Sequence, residues 1–306
     1  MTGHPRKAKF VSRDFCVNCG SSSLQELASG MFWDEPLRTF IANDPWGENP
    51  LPFLTDARWT LVKCEACAQV FHRSVLDAEW NERRFSIWMN ADAINTFEAN
   101  FGTSLSERKR RAATAYVEHI LRIEAMTKPI RKNEPVRLLD FGCGWGGFVE
   151  GCQLFGFDAV GLDRSSARIG GATIKVYSTI DELSSKSFHA VTAFEVLEHV
   201  DAPAEIVASL SAMLVPGGIF VAETPNCAGV TNIVTHDDYL RVHPLDHINA
   251  YTNETLTSLI ERHGLKRVSR PVAYVTADPM RALKTTVKHA LGRVGRSTQL
   301  YFSKDR

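Results

Sequence analysis

Asp140 stands two residues before Gly142, and Gly144, Gly146 and Gly147 follow closely. A carboxylate beside a glycine-rich turn can meet a cation, while the backbone N–H groups of the turn and of a following helix can meet an anion. Glycine lets the backbone turn tightly and lets a ligand approach where a Cβ would collide. Gly142, Gly144 and Gly147 also satisfy G-x-G-x-x-G, the spacing of a dinucleotide corner. Asp140 argues against that ligand, because a carboxylate would face a pyrophosphate with like charge in a partly dry site. It suits a small ligand that carries an ammonium group.

Other residues could do chemistry too. Cys16–Cys19 and Cys64–Cys67 are two C-x-x-C pairs. Together they make the tetrahedral four-sulfur set that zinc prefers, a closed structural site; a redox pair or separate buried thiols are the alternatives. The long insertion between the pairs carries Trp33, Trp46 and Trp59 and is expected to pack its own small core. Cys143, Cys152 and Cys227 read as core residues. Glu195, Glu198 and His199 follow an apolar run, where an acid–imidazole cluster can accept a proton or simply cap a turn. His236, His243 and His247 gather with Asp237, Asp238 and Asp246, a set of donors that could make a metal site. His247, with Asp246 beside it, has what a general base requires. Arg108–Arg111 is either a phosphate-binding run or a solvated face.

The elements that must position these residues are legible in the periodicity. Val136 to Asp140 reads as a buried strand, and Phe148, Val149, Cys152 and Phe155 as one side of the next helix. Strands and helices then alternate: strands over 157–163, 172–177, 189–194, 218–223, 265–275 and 297–303, and helices over 204–214 and 253–260, the latter capped by Gly264. A helix over 106–126 with Ser106 as N-cap precedes them. A helix over 280–296 has an apolar stripe of Met280, Leu283, Val287, Ala290, Leu291 and Val294 amid basic residues. It would cover the protein's own core, meet a second copy in a homodimer, or lie on an anionic membrane. The expected organisation is a cysteine module over 1–85, connecting helices over 86–130, and an α/β domain over 131–306.

Composition sets outer limits. The 306 residues are 44% hydrophobic and 23% charged, ordinary for a soluble globular protein. Net charge is +0, so no global basic field exists to draw nucleic acid. No apolar run is long enough to span a bilayer, and the first ten residues lack a signal-peptide core. A cytoplasmic location is expected, where seven cysteines serve as thiols or metal ligands rather than disulfides.

Leu138-Leu139-Asp140-Phe141-Gly142-Cys143-Gly144-Trp145-Gly146 resembles the first motif of class I S-adenosylmethionine (SAM)-dependent methyltransferases. Phe157–Asp163 is similar to their second strand, Phe194–Val200 to the motif ending the fourth, and Leu214–Phe220 to the turn into the fifth. The resemblance implies a Rossmann-like α/β sheet, mostly parallel with the last strand antiparallel, and helices on both faces. It implies SAM held by Asp140, Gly142, Gly144, Gly146, Asp163 and Glu195, with Asp163 on the ribose hydroxyls. Asp181 and Glu182 would lie near the adenine, and the 106–126 helix would cover the cofactor pocket. Leu61–Phe71 resembles half of an N-terminal zinc module found in methyltransferases acting on sugars and natural products, with Ala68 where glycine is usual. Pro244-Leu245-Asp246-His247 partly matches the Tyr-x-Glu-His motif of sugar C-methyltransferases, with Pro244 in place of the tyrosine. The implied function is methyl transfer to a small-molecule or sugar-containing acceptor at carbon or oxygen. His247 would be the base, with Glu195 or His199 orienting the acceptor. The competing readings are a zinc-ribbon RNA methyltransferase and a non-catalytic SAM-fold binding module.

Overall fold

Paired cysteines with alternating apolar residues mark the first hundred positions, and continuous apolar runs mark most of the remainder. The chain divides accordingly into two units. The first is built from Met1–Leu105, Glu198–Pro203 and Asn226–Thr255, the second from Ser106–Leu197, Ala204–Pro225 and Leu256–Arg306. A computed structural model describes residues 6–100, 105–164, 174–183, 185–276, 278–290 and 297–306.

In the first unit β1 (Phe10–Ser12) pairs with β5 (Ser74–Leu76). A four-stranded antiparallel sheet joins β2 (Leu24–Met31), β3 (Arg58–Cys64), β4 (Val70–His72) and β11 (Asn249–Ala250). Helices α1 (Leu37–Asn43), α2 (Ala78–Arg83), α3 (Ala91–Asn100) and α7 (His236–Arg241) accompany it, with a π-turn over Arg84–Trp88. The insertion between the cysteine pairs packs a core, as expected: Phe32, Leu37, Ile41, Leu54 and Trp59 bury together with Trp80 and Trp88. Each such side chain stabilises by about 1.5–3 kcal/mol. Doubling a loop's length costs only about 0.6 kcal/mol, so the packed insertion outweighs its own closure. Trp33 remains 41% exposed.

In the second unit β6 (Arg137–Phe141), β7 (Asp158–Leu162), β8 (Val176–Tyr177), β9 (Phe188–Phe194), β10 (Leu214–Pro225), β12 (Leu265–Val268) and β13 (Ser297–Lys304) form one sheet in the order β12-β13-β10-β9-β6-β7-β8. Pairing from β10 through β8 is parallel, and β13 runs antiparallel to both β10 and β12. Central strands read as mostly apolar runs because both faces are buried. Leu138, Ala190 and Val221 pack with Ile120 and Ile123 of α4 (Leu105–Thr127) and with Phe148, Val149 and Cys152 of α5 (Gly147–Leu154). Val207 and Leu210 of α6 (Pro203–Ala212) and Leu256, Leu259 and Ile260 of α8 (Asn253–Glu261) are buried in turn.

Several boundaries differ from the sequence expectation. The fifth strand extends to Leu214–Pro225, its register shifting between Leu214 and Ile219 instead of breaking at Pro216-Gly217-Gly218. The sixth stops at Val268 instead of continuing to 275, since Arg270 turns to Gln299 and Pro271 has no N–H to give a ladder. Only Val176–Tyr177 of the third strand is regular, and 172–173 lie outside the described residues. Phe155 is the C-cap of α5 and 46% exposed, not part of its buried side. Ser106 lies inside α4 rather than capping it. Arg110 pairs with Glu107 at 2.7 Å, and the side chains of Arg108, Lys109 and Arg111 lie outside the description. The late helix is α9 (Pro279–Ala290), with 291–296 undescribed. Its Met280, Leu283 and Val287 are exposed, and the side chains of Ala290, Leu291 and Val294 lie outside the description.

Gly161 on β7 shows how tightly the strand meets the glycine turn: a Cβ there would lie 2.3 Å from Cys143 Sγ and 2.9 Å from its Cβ. Gly161→Ala should therefore lower stability in denaturant unfolding by about 1–3 kcal/mol, with part of the loss recovered by adding Cys143→Ala. An alanine variant as stable as the parent would contradict this packing.

Candidate active site

The second unit carries the acid-and-glycine corner. Asp140, the penultimate residue of β6, is 4% exposed. The Thr192 hydroxyl, opposite it in register on β9, donates to Asp140 Oδ1 at 2.6 Å. Burial raises the Asp140 carboxyl to about 7, the Thr192 bond pulls it back down, and the charge of Asp163 adds to the rise. The turn that follows needs left-handed backbone at Gly142 (φ 73°) and Gly146 (φ 80°), the latter serving as N-cap of α5. A Cβ on Gly142 would also meet Val196 Cγ2 at 2.5 Å.

Much of the turn's own hydrogen bonding is internal. Gly142 and Cys143 donate to the Leu162 carbonyl at 2.8 and 3.2 Å, and Gly146 to the Cys143 carbonyl at 2.9 Å. Gly144 N–H donates to Asp163 Oδ2 at 2.9 Å, so the second acid is tied to the loop it follows in space. Asp163 is 5% exposed. Glu195, just past β9, is exposed and takes φ 50°, a conformation that non-glycine residues rarely adopt. Glu182 accepts from Ser178 and Thr179 in its own turn, which gives it a local capping role.

Glu198, His199, Asp246 and His247 all belong to the first unit. Asp246 forms a close ion pair with Arg84 and lies 2.9 Å from His199 Nδ1. Burial alone would raise its carboxyl, but His199 and Arg84 outweigh burial and hold it well below the usual range. His199 Nδ1 also faces the Asp246 carbonyl at 3.0 Å, which places a proton on Nδ1. His247 Nε2 lies 3.8 Å from Asp246 Oδ2, and its ring packs edge-on to His199 with centroids 4.9 Å apart. Burial lowers His247 to about 4, with Asp246 opposing the shift, so its ring is neutral at neutral pH. Its Nδ1 has no hydrogen-bond partner among the described residues.

The three histidines of the late loop do not form one metal group. His236 packs against Phe40. His243 Nε2 meets the Tyr239 hydroxyl at 2.6 Å and Asp44 at 3.1 Å, and Tyr239 donates to Asp44. His247 instead clusters with Glu198 and His199, one donor atom of each lying within 4.8 Å of the others, a spacing that could also admit a cation. Sequence reasoning missed Thr192 and Arg84. A polar residue near the end of the mostly apolar run 188–194 was the available signal for Thr192; Arg84 gave none.

The four cysteines meet as their spacing implies. Cys16 Sγ lies 3.5 Å from Cys67 Sγ, and Cys19 Sγ lies 3.6 Å from Cys64 Sγ, with all four within 4.8 Å of one another. A tetrahedral zinc at about 2.3 Å from each sulfur requires sulfur separations of about 3.8 Å, so the set fits one ion.

The Asp140 shift has a signed consequence. The ligand-free fold holds this proton more tightly than the unfolded chain does, for which the ordinary value is 3.8. Its contribution to stability is therefore greatest below about 4 and is lost as pH rises toward about 7. Ligand-free Asp140→Asn should gain on the parent across that window by on the order of 2 kcal/mol in thermal or denaturant unfolding. A difference independent of pH would contradict the assignment.

Comparison with known proteins agrees with this corner. A family model described as a methyltransferase domain matches residues 106–270, more than half of the 306-residue chain. Over 119 residues the chain is 32% identical to a ubiquinone biosynthesis O-methyltransferase of Alkalilimnicola ehrlichii, covering 35% of this chain and 48% of that protein. A mitochondrial protein of the same name from Arabidopsis thaliana is 34% identical over 122 residues, covering 35% and 37%. The chain thus spans about half or less of the length of these relatives. Among solved structures, a SAM-dependent methyltransferase from Archaeoglobus fulgidus aligns with TM-score 0.45 and 16% identity, over 64% of this chain and 94% of that one. With the family match extending across the Asp140, Asp163 and Glu195 motifs, the chain belongs to the methyltransferase-domain family.

Proposed function

We propose that the protein transfers a methyl group from SAM to a hydroxyl of a small-molecule acceptor. The observation that carries this is Asp140, a buried acid with a raised pKa beneath a left-handed glycine turn. SAM would supply a methyl group made electrophilic by a positive sulfur. Asp140 takes the ammonium end, which offsets the cost of ionising a buried carboxyl. Because Gly142, Cys143, Gly144 and Gly146 already donate within the protein, the amides of the first turn of α5 are the donors left for the carboxylate end. Asp163, tied to the turn through Gly144 N–H, is the acid that accepts from the ribose hydroxyls. Glu195 contributes to the same corner from the end of β9.

His247 is the proposed general base. Its depressed pKa keeps the ring unprotonated, and Nδ1 is a buried lone pair with no hydrogen-bond partner among the described residues. As the acceptor oxygen gains the methyl, its proton passes to His247, and the ionised Asp246 at 3.8 Å stabilises the imidazolium that results. His199, oriented by Asp246, positions the acceptor. The relatives named for O-methylation support oxygen over carbon, and Pro244 in place of the tyrosine of the C-methylation motif points the same way. The four thiols are read as holding one structural zinc ion, which metal analysis would count at one per chain.

The acceptor is found by incubating the protein with metabolite extracts and methyl-labelled SAM, then identifying the labelled product by mass spectrometry. With that acceptor, His247→Ala should slow transfer about 10²–10⁴-fold while leaving SAM affinity within about twofold. At saturating SAM the parent's rate should stay level from pH 8 down to about 6, because the His247 proton binds only near pH 4. Unchanged turnover in the alanine variant would remove His247 from the mechanism.

A further inference from the structure

Each cysteine knuckle carries, beside its thiols, one buried amide that donates away from the knuckle. Asn18, between Cys16 and Cys19, is 4% exposed, and its Nδ2 donates to the Thr255 carbonyl at 3.1 Å. Gln69, two residues past Cys67, is fully buried, and its Nε2 donates to the Ala250 carbonyl at 2.9 Å as well as to the adjacent Val70 carbonyl at 2.8 Å. Arg13, three residues before Cys16, is buried as well. Its guanidinium donates to the Ile248 carbonyl at 2.7 Å, to Asn249 Oδ1 at 2.8 Å, and to the His72 carbonyl at 2.6 and 2.9 Å. The main chain repeats the link: His72 N–H donates to the Ile248 carbonyl at 2.9 Å, and β11 pairs with β4, which follows the second knuckle.

Every acceptor in this set except the Val70 and His72 carbonyls lies between Ile248 and Thr255, the stretch that leaves His247. Asn249, held by Arg13, passes the connection on by donating from Nδ2 to the Val200 carbonyl at 2.8 Å, next to His199. A small core of Cys16, Val62, Cys64 and Phe71 lies beneath the thiols, so moving a knuckle also moves β4. An ordinary structural metal would need none of these bonds. They are side-chain donors sunk among apolar neighbours, where a lost partner is expensive and the geometry is therefore strict.

We propose that the metal-holding knuckles position the Asp246–His247 loop, with Asn18, Gln69 and Arg13 as the positioning residues. An ion drawing four sulfurs to tetrahedral spacing fixes where Asn18 and Gln69 stand, and they fix the register of residues 248–255. Without the ion nothing draws the four sulfurs to one point, the knuckles open, and the two amides leave their carbonyls. The metal touches neither His199 nor His247 yet determines where both are held. The consequence for methyl transfer rests on the reading of His247 as the base; the mechanical link does not.

Hydrogen exchange on the full chain tests the link directly. Removing the metal with a chelator should speed amide exchange of residues 248–252 at least about tenfold, and zinc should restore protection, while the strands over 137–141 and 188–194 stay protected. Gln69→Ala covers the case in which metal removal unfolds the first unit. It should retain one zinc per chain and SAM affinity within about twofold by calorimetry. It should nonetheless exchange faster over 249–251, shift the ring-proton resonances of His199 and His247, and lower label transfer into metabolite extract about tenfold. Exchange unchanged on metal loss, or a zinc-loaded Gln69→Ala chain with parental exchange and histidine resonances, would overturn the proposal. Unchanged turnover in His247→Ala would instead overturn the base assignment and leave the exchange result standing.

Discussion

A carboxylate in the wrong place for a carboxylate governs the second unit. Asp140 is buried at the end of a central strand with one hydroxyl donating to it and another acid near enough to raise its pKa. Ionising it in the empty fold is costly, which is why its proton is held to about pH 7. The surrounding geometry follows from that charge. Gly142 and Gly146 take left-handed backbone so that the chain can fold back over the strand end, and Gly161 leaves room for Cys143 beneath the turn. A ligand with an ammonium group converts the liability into an ion pair. A nicotinamide dinucleotide, with its pyrophosphate, would increase it.

The first unit handles a buried acid in the opposite way. Asp246 is ionised because Arg84 and His199 compensate it within the protein, so it needs no ligand. With Asp246 committed to those two partners, His247 at 3.8 Å receives only part of its field and remains neutral. One buried acid holds its proton and the other is ionised by its partners, and the proposed function assigns the first to a positive ligand and the second to the support of a base.

The sheet was largely legible in the sequence, and the site only in part. Strands buried on both faces leave a mostly apolar signature, so 137–141 and 188–194 were readable. The ends of β10 and β12 were not, because Pro216-Gly217-Gly218 is absorbed by a register shift and Arg270 finds its partner 29 residues away. The acid and glycine positions declared themselves through local spacing. The partners of Asp246 did not: His199 is 47 residues distant and Arg84 is 162, and no local pattern connects them. The adjacency of Asp246 and His247 in the sequence suggested a pair, whereas the tight contact is with His199. Tyr239 and His243, one helical turn apart, likewise find their common acid, Asp44, far upstream.

The charge on Asp140 can be read without any acceptor. SAM is titrated calorimetrically into the ligand-free chain at pH 6 in buffers of different ionisation enthalpy. A carboxyl that carries its proton up to about pH 7 when empty must lose it to pair with an ammonium, so the account predicts release approaching one proton per SAM bound, absent in Asp140→Asn. Tight binding with no proton released would contradict it.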